Sequence, residues 1–163
     1  MADIVFNIAS GKLSGTVGDY TFEIFAFSGG RGGSKKDGVV HPAIVNNPLL
    51  THMKLQGHGE FDYAGALPMG LYTLKNHEKT HNWIRLMPDK DNYMGKRDGF
   101  AIHGRGPRGS DGCIVPNDFS IVTKLYALSK KFSDAGQKIT LEVKAVGDID
   151  YFERLIHEYN SIG

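Results

Sequence analysis

Apolar and polar residues alternate through the first thirty residues of the chain. The run ADIVFNIASGKLSGTVGDYTFEIFAFSGG is broken twice, at Ser10-Gly11 and at Gly18-Asp19, by residues that favour tight turns. A period of two is typical of a strand with one buried face, and short turn-forming breaks join antiparallel strands. The pattern therefore predicts a three-stranded meander at the start of the chain.

Further strands and two helices are predicted in the rest of the chain. Short β-like runs occur in GLYTLKNH, in HNWIRLMP, in GFAIHG up to His103, and in KITLEVKAV. PNDFSIVTKLYALSKKFSDAG has apolar residues at helical spacing, with Asn117 as the predicted N-cap, and DIDYFERLIHEYNSIG predicts an amphipathic helix over about residues 148–160. Residues 29–59 keep no period, and a loop this long is usually functional or mobile.

These patterns predict a fold that is mainly β with α elements. A chain of 163 residues suits one domain, and no linker divides it, so residues 1–163 are predicted to form a single domain. The 21 glycines are scattered among apolar segments, which favours many turns over low-complexity sequence. One cysteine cannot form an intramolecular disulfide, so the fold must be stable without one.

Charge and hydropathy argue against several classes of partner. Lys and Arg number 19 against 18 for Asp and Glu, so no net field attracts nucleic acid or an anionic membrane. Residues 1–15 lack the basic start and the apolar centre of a signal peptide, and no apolar run approaches membrane-spanning length. We expect a chain made in the cytoplasm without a signal peptide, with no nucleic-acid partner and no membrane insertion.

The strongest candidate chemistry lies in FAIHGRGPRGSDGCIVP, residues 100–116, which contains the only cysteine, Cys113, ten positions after His103. A thiol with a pKa of ~8.5 needs a nearby base to act as a nucleophile at neutral pH, and His103 can supply one if the chain folds back. Glycines such as Gly104 and Gly112 permit the positive φ angles of such a return. The backbone N–H groups of Gly112 and Cys113 could then stabilise an oxyanion.

A structural alternative remains open for the same residues. A lone cysteine is most often a small buried hydrophobic residue, and a histidine at a strand end is often only hydrogen-bonded at the surface. The spacing alone favours that structural interpretation.

The other candidate residues do not indicate a metal site, and we expect no cofactor. His77 and His81 have the i, i+4 spacing of helical metal ligands, but this region is predicted to be strand and turn, and no carboxylate or cysteine pattern completes a site. Tyr72 and Trp83 are expected to lie in the core or to form a cleft wall.

Three segments of the chain carry a resemblance to a known family. AIHG at 101–104 followed by SDGCIVP at 110–116 resembles the signature of the YkuD-type L,D-transpeptidases, with His103 as base and Cys113 as nucleophile. AFSGG at 26–30 and LPMGLYTL at 67–74 resemble two further strand segments of that family, in the same order. The loop before the cysteine is shorter than usual and Asp111 replaces a histidine, which is similar to the L,D-transpeptidase effectors of type VI secretion.

The resemblance implies a YkuD-like mixed β-sheet or sandwich with a helix after Cys113, a core over about residues 20–146 and a C-terminal helix. It implies an antibacterial enzyme that attacks the L,D bond before the terminal D-alanine of peptidoglycan tetrapeptide stems through an acyl-thioester. The products would be those of an L,D-carboxypeptidase or of D-amino-acid exchange. The Gly104 carbonyl would orient the ring of His103.

Remaining residues of the motif have less defined roles under the resemblance. Arg105 and Arg108 are candidates to bind the carboxylates of the stem through forked hydrogen bonds, although arginines on a glycine-rich loop are often only solvated. Ser110 is more readily a turn residue, and Asp111 is expected to contribute its backbone N–H. Ser28 is a candidate for the substrate cleft or for a structural role.

Partners and alternatives complete the prediction. The resemblance implies peptidoglycan stem peptides as substrate, a cognate immunity protein, a secretion-system carrier, and action in the periplasm of a target cell. A Cys-His hydrolase of another amide and a catalytically silent wall-binding module remain the alternatives.

Overall fold

The computed structural model describes residues 2–30, 44–52, 65–95, 97–104 and 112–162. The elements in this part of the chain are β1 (Ile4–Asn7), β2 (Lys12–Val17), β3 (Tyr20–Ser28), a 3-10 helix (Pro48–Leu50), β4 (Gly70–Asn76), β5 (Ile84–Pro88), β6 (Ala101–Ile102), β7 (Ile114–Pro116), α1 (Phe119–Asp134), β8 (Thr140–Lys144) and α2 (Ile149–Ile162). The predicted fold class, mainly β with α elements, is confirmed.

The strands form a closed barrel in the order β1-β2-β3-β7-β6-β5-β4-β8. The first three strands are the predicted antiparallel meander. Two pairs are parallel, β1 with β8 and β6 with β7, so the sheet is mixed. The barrel closes where the first strand of the chain meets β8.

Alternation along β1 and β8 explains why these distant strands pair. Ile4 and Phe6 point to the interior from β1, and Leu141 and Val143 do so from β8. In the parallel register Ile4 lies opposite Leu141, and Phe6 lies opposite Val143. A shift of one residue would move the apolar set of either strand to solvent, so the buried face fixes the register.

Helix α1 begins one residue later than predicted. Asp118 is the N-cap, and its side chain accepts a hydrogen bond from Ser120 N. The predicted cap, Asn117, still donates its backbone N–H to Phe25 O in the neighbouring strand β3. The chain therefore leaves the sheet only after Asn117, and the next residue with a capping side chain starts the helix.

The two helices pack in different places. Val122 and Leu125 of α1 are fully buried in the main core, and the helix contacts β4, β5 and β7. Helix α2 packs against the 3-10 helix, where Ile156 meets Ile44 and Leu50. In the described part of the chain, no helix combines the length and the apolar character needed to cross a bilayer.

The predicted long loop is described only in part. Its residues 44–52 contain the 3-10 helix, and the rest of the span 31–59 lies outside the described residues. The prediction that this loop is functional or mobile therefore stays a prediction.

Candidate active site

His103 and Cys113 flank two neighbouring parallel strands. Ile102 of β6 lies opposite Ile114 of β7, and His103 N donates to Ile114 O at 3.1 Å. Both isoleucines belong to the central core. His103 directly follows β6 and Cys113 directly precedes β7, so their backbones lie diagonally across the Ile102–Ile114 pair, although a glycine-rich segment separates them in sequence. Since successive residues of a strand point to opposite faces, this pairing favours a position for both side chains on the side of the sheet away from the two isoleucines.

The ring of His103 is held by two contacts. Nδ1 lies 2.9 Å from the carbonyl oxygen of Gly104. A carbonyl can only accept a hydrogen bond, so the neutral ring carries its proton on Nδ1 and leaves Nε2 as the acceptor. The indole of Trp83 stacks on the imidazole with a centroid distance of 4.1 Å and an interplanar angle of 5°. His103 is only 7% exposed, so other groups of the protein surround most of this residue.

There is no room for a side chain at Gly104. A Cβ added there would overlap Cδ2 of Phe119, the first residue of α1. The hydrogen bond from the His103 ring to the Gly104 carbonyl, which the resemblance implied, is present. A purely structural reason for glycine at this position also exists, because the ring of Phe119 occupies the space that a Cβ would fill. The catalytic role of Gly104 stays a prediction.

A fully buried serine hydroxyl joins the three segments that carry the resemblance. Ser28 Oγ donates to the carbonyl of Gly112 at 3.0 Å and accepts from Leu67 N at 2.9 Å. Ser28 is the central residue of AFSGG, Leu67 is the first residue of LPMGLYTL, and Gly112 precedes Cys113. Ser28 has no exposed surface, which favours the structural role over the substrate cleft, and the cleft role stays a prediction. Ser28 holds the turn that presents Cys113.

Asn46 holds Ser28 in turn, and sequence reasoning missed it. Its side chain accepts from Ser28 N at 2.7 Å and donates to Ala26 O at 2.9 Å, while its backbone N–H donates to Ser28 O at 2.9 Å. Its φ of +51° is a left-handed conformation that asparagine tolerates better than most residues. The Asn-Asn-Pro triplet at 46–48 was a local signal for such a turn.

Gly112 combines a positive φ with a tight fit. Its φ is +118°, as predicted for this return of the chain. An added Cβ would overlap Nη2 of Arg97 and would lie 2.5 Å from Cε1 of Phe100. The backbone just before Cys113 is thus confined from both sides.

Arg97 is a buried cation that the sequence did not reveal. Its guanidinium donates to the carbonyls of Thr51, Gly65 and Ala66 and lies over the ring of Phe100, 5.0 Å from the centroid. Nothing in GKRDGF distinguishes this arginine from a solvated one. Its burial comes from distant segments that converge on it.

Cys113 is a half-buried residue, and its thiol is not in a disulfide. It stands between the confined Gly112 and the first residue of β7. Acyl transfer through a thioester would require the sulfur to meet an imidazole whose Nε2 can exchange a proton, and His103 is the imidazole that the strand pairing brings nearest in the backbone.

Four predicted site residues lie outside the described part of the chain: Arg105, Arg108, Ser110 and Asp111. Their assigned roles, in substrate binding and in the turn, stay predictions. The same holds for the use of the Gly112 and Cys113 N–H groups as oxyanion donors.

The other polar groups have structural contacts. His77 Nδ1 accepts from the backbone of Lys79 at 3.1 Å and of Thr80 at 2.9 Å, and the His81 ring meets Tyr126. Within the described ranges, no group of three or more His, Cys, Asp or Glu residues is arranged to hold a metal ion.

Tyr72 lies in the core, and Trp83 lies beside the candidate site. Tyr72 is buried, and its hydroxyl donates to Pro68 O at 2.6 Å. Burial raises the pKa of the Tyr72 phenol, so the group stays neutral and acts as a donor. Trp83 is half-buried beside His103 and forms part of the wall of the site.

Comparison of the chain with protein-family models, with curated proteins and with solved structures gave no match in any of the three.

Proposed function

We propose that the protein is a cysteine acyltransferase of the YkuD-like L,D-transpeptidase type, with Cys113 as nucleophile and His103 as base. The observation that supports the proposal most is the parallel pairing of Ile102 with Ile114, because His103 directly follows the first and Cys113 directly precedes the second. The contact of His103 Nδ1 with the Gly104 carbonyl supports it as well, because it leaves Nε2 to act as the base.

The convergence of the motif segments supports the YkuD-like fold as part of this proposal. Ser28 connects the three segments by hydrogen bonds, and β3 pairs directly with β7. A chance likeness among three separate stretches would give no reason for them to meet at one turn. The mixed sheet and the helix that follows Cys113 agree with the same fold.

The proposed reaction begins with attack of Cys113 Sγ on the carbonyl carbon of the L,D bond before the terminal D-alanine. His103 Nε2 takes the thiol proton and passes it to the amine of D-alanine as the C–N bond breaks. The product is an acyl-thioester and free D-alanine. Backbone N–H groups of Gly112 and Cys113 would stabilise the oxyanion.

The second half of the reaction sets the net activity. Water, deprotonated by His103, attacks the thioester and releases a tripeptide carboxylate and the regenerated thiol, which is L,D-carboxypeptidase activity. A free D-amino acid as acceptor gives exchange, and the amine of another stem gives a cross-link. Arg105 and Arg108 are the proposed contacts to stem carboxylates.

The biological setting in the proposal comes from the resemblance alone. An antibacterial effector delivered by type VI secretion would act in the periplasm of a competitor and remove the donor stems of D,D-transpeptidases. The producer would then need an immunity protein that covers the cleft.

Digestion of purified tetrapeptide muropeptides, followed by mass spectrometry, tests the reaction. The wild-type protein should release the terminal D-alanine, and Cys113→Ser and His103→Ala should each reduce the rate by about a hundredfold or more. Circular dichroism should show that both variants keep the fold. Intact stems after prolonged incubation with the wild-type protein would contradict the proposal.

Thiol labelling separates the alternatives. Rapid alkylation of Cys113 near neutral pH that requires His103, together with intact stems, would favour a Cys-His hydrolase of another amide. Slow alkylation that is equal in the wild-type and His103→Ala proteins would favour a silent wall-binding module.

Expression in a sensitive bacterium tests the compartment. The protein should be toxic when an added signal exports it to the periplasm and harmless without that signal. Exported Cys113→Ala should be harmless. Equal toxicity of that variant would contradict an enzymatic effect.

A further inference from the structure

Trp83 stands opposite His103 on the strand next to β6. Ile84 of β5 pairs with Ile102 in the antiparallel ladder, so the preceding residue, Trp83, faces the following one, His103, across the strands. The backbone of Trp83 is held as well, since its carbonyl accepts from His77 N at 2.9 Å. Trp83, His103 and Cys113 therefore lie next to the ends of β5, β6 and β7, with His103 beside the middle strand.

The stack supplies an orientation that the hydrogen bond to Gly104 cannot. One hydrogen bond fixes the direction of Nδ1 but permits the ring to tilt about that contact. A parallel indole face at 4.1 Å and 5° fixes the plane of the imidazole. The two constraints together fix where Nε2 points. A base must hold such geometry, because a displacement of about 1 Å can cost about a hundredfold in rate.

We propose that Trp83 is a positioning residue that holds the ring of His103 so that Nε2 faces the Cys113 side of the sheet. The proposal rests on the proposed function for its effect on catalysis. Its structural half, the fixed ring plane, is independent of the substrate. Trp83 acts through His103, and contact with the substrate is not required.

Two substitutions separate the face of the ring from its bulk. Trp83→Leu removes the aromatic face, and Trp83→Phe retains one. Tyr126→Leu is the matched control, since it removes the aromatic neighbour of a different histidine, His81, in a pair with centroids 4.7 Å apart. Thermal denaturation of all three variants reports any loss of stability.

Three readouts are expected to change together in Trp83→Leu. The kcat for release of D-alanine and the rate of Cys113 alkylation by iodoacetamide should each fall about ten- to hundredfold, with KM nearly unchanged. The imidazole proton resonances of His103, shifted upfield by the indole ring current in the wild-type protein, should move downfield. Trp83→Phe should restore most of each value, and Tyr126→Leu should leave all three unchanged.

Several results would overturn the proposal. Wild-type rates in Trp83→Leu would do so, as would an effect on KM alone, which would make Trp83 a substrate contact. If Trp83→Leu does not fold, absence of the upfield shift in the wild-type protein would do the same. A wild-type protein that leaves stems intact, with alkylation still dependent on Trp83, would reject the proposed function and retain the positioning role.

Discussion

Gly112 is the residue whose replacement most directly tests the shape of the site. It has a φ of +118° and no room for a Cβ beside Arg97 and Phe100. Gly99 has a φ of +78° but no atom within 4 Å of the position of an added Cβ. The pair therefore separates the conformational requirement for glycine from the spatial one.

Gly112→Ala should lower the free energy of unfolding by about 2–4 kcal/mol, because backbone strain and overlap add. Gly99→Ala should cost about 1 kcal/mol, because strain acts there alone. Urea denaturation measures both. Alkylation of Cys113 should slow only in Gly112→Ala, since that substitution moves the adjacent backbone. Equal losses in the two variants would show that the contacts with Arg97 and Phe100 do not matter.

Ser28→Ala should destabilise the fold strongly, although it changes the volume of the side chain only slightly. The substitution leaves the carbonyl of Gly112 and the N–H of Leu67 without the buried hydroxyl that they share. Buried groups left unsatisfied cost about 1–3 kcal/mol each, so we expect a loss of about 2–4 kcal/mol in the free energy of unfolding. Ser14→Ala, at a partly exposed position in β2, is the control and should change stability by less than about 0.5 kcal/mol. A loss no larger than that of the control would contradict the bridging role.

Sequence reasoning proposed His103, Cys113 and the carbonyl of Gly104 as the centre of the site, because they lie in one short stretch of the chain. Of these proposals, the contact of the His103 ring with the Gly104 carbonyl is present. The stack of Trp83 on His103 and the burial of Arg97 were not predicted, since they depend on a strand register and on carbonyls of distant segments. Local sequence specifies neither kind of contact.

At the scale of single elements, the stability that the N-cap Asp118 gives to α1 depends on pH. The side-chain and backbone hydrogen bonds at Ser120 lower the pKa of the Asp118 carboxyl below its ordinary value of 3.8. Folding therefore favours the deprotonated form. The stabilisation is fully present above pH 3.8 and is lost as the pH falls through the lower, folded-state pKa.

Asp118→Asn should keep the cap and lose this acid dependence. Asparagine caps helices about as well as aspartate but does not titrate. The wild-type protein should be the more stable of the two near neutral pH, because a carboxylate also suits the helix dipole, and the difference should shrink toward pH 2. Thermal denaturation over this range measures it. A difference that is independent of pH would exclude the titration of Asp118 as its source.

Element prediction succeeded where the pattern was local. Alternation located the first three strands and β8, and helical spacing located α1 and α2. Strand β6 has only two residues, so its pairing with two neighbours defines it more than its pattern does. The start of α1 was misplaced because two successive capping residues compete, and the bond from Asn117 N to Phe25 O decides between them.

At the scale of the molecule, Arg97 connects segments that the sheet does not join. Its guanidinium gathers carbonyls from Thr51, Gly65 and Ala66, which precede β4 by different distances along the chain. A planar fork with five donors suits several acceptors at once, whereas an ammonium cannot match the same geometry.

Arg97→Lys should therefore lower the free energy of unfolding by about 2–4 kcal/mol, because buried carbonyls lose charged donors. Arg85→Lys is the control, since Arg85 makes an ion pair with Glu78 at the surface and its replacement should have little effect. Urea denaturation measures both. Equal effects would show that the guanidinium of Arg97 has no special importance for the fold.

The closure of the barrel could not be predicted from the sequence, for a physical reason. Each strand carries one apolar face, and that pattern requires a covered sheet without specifying which strands meet. The pairing of β1 with β8 depends on contacts between opposite ends of the chain. A YkuD-like sheet was expected from the resemblance, and the order of its strands could not have been derived from alternation.

This closure also constrains how the chain can be made. Ile4 must wait for Leu141 to leave the ribosome before their ladder can form, so β1 has only β2 beside it during most of translation. Contacts this distant in sequence form slowly, and an open sheet with an unpaired edge is prone to aggregate. The nascent protein should therefore depend on chaperones until synthesis is nearly complete, and then acquire the two ladders of β8, with β1 and with β4, in one late step.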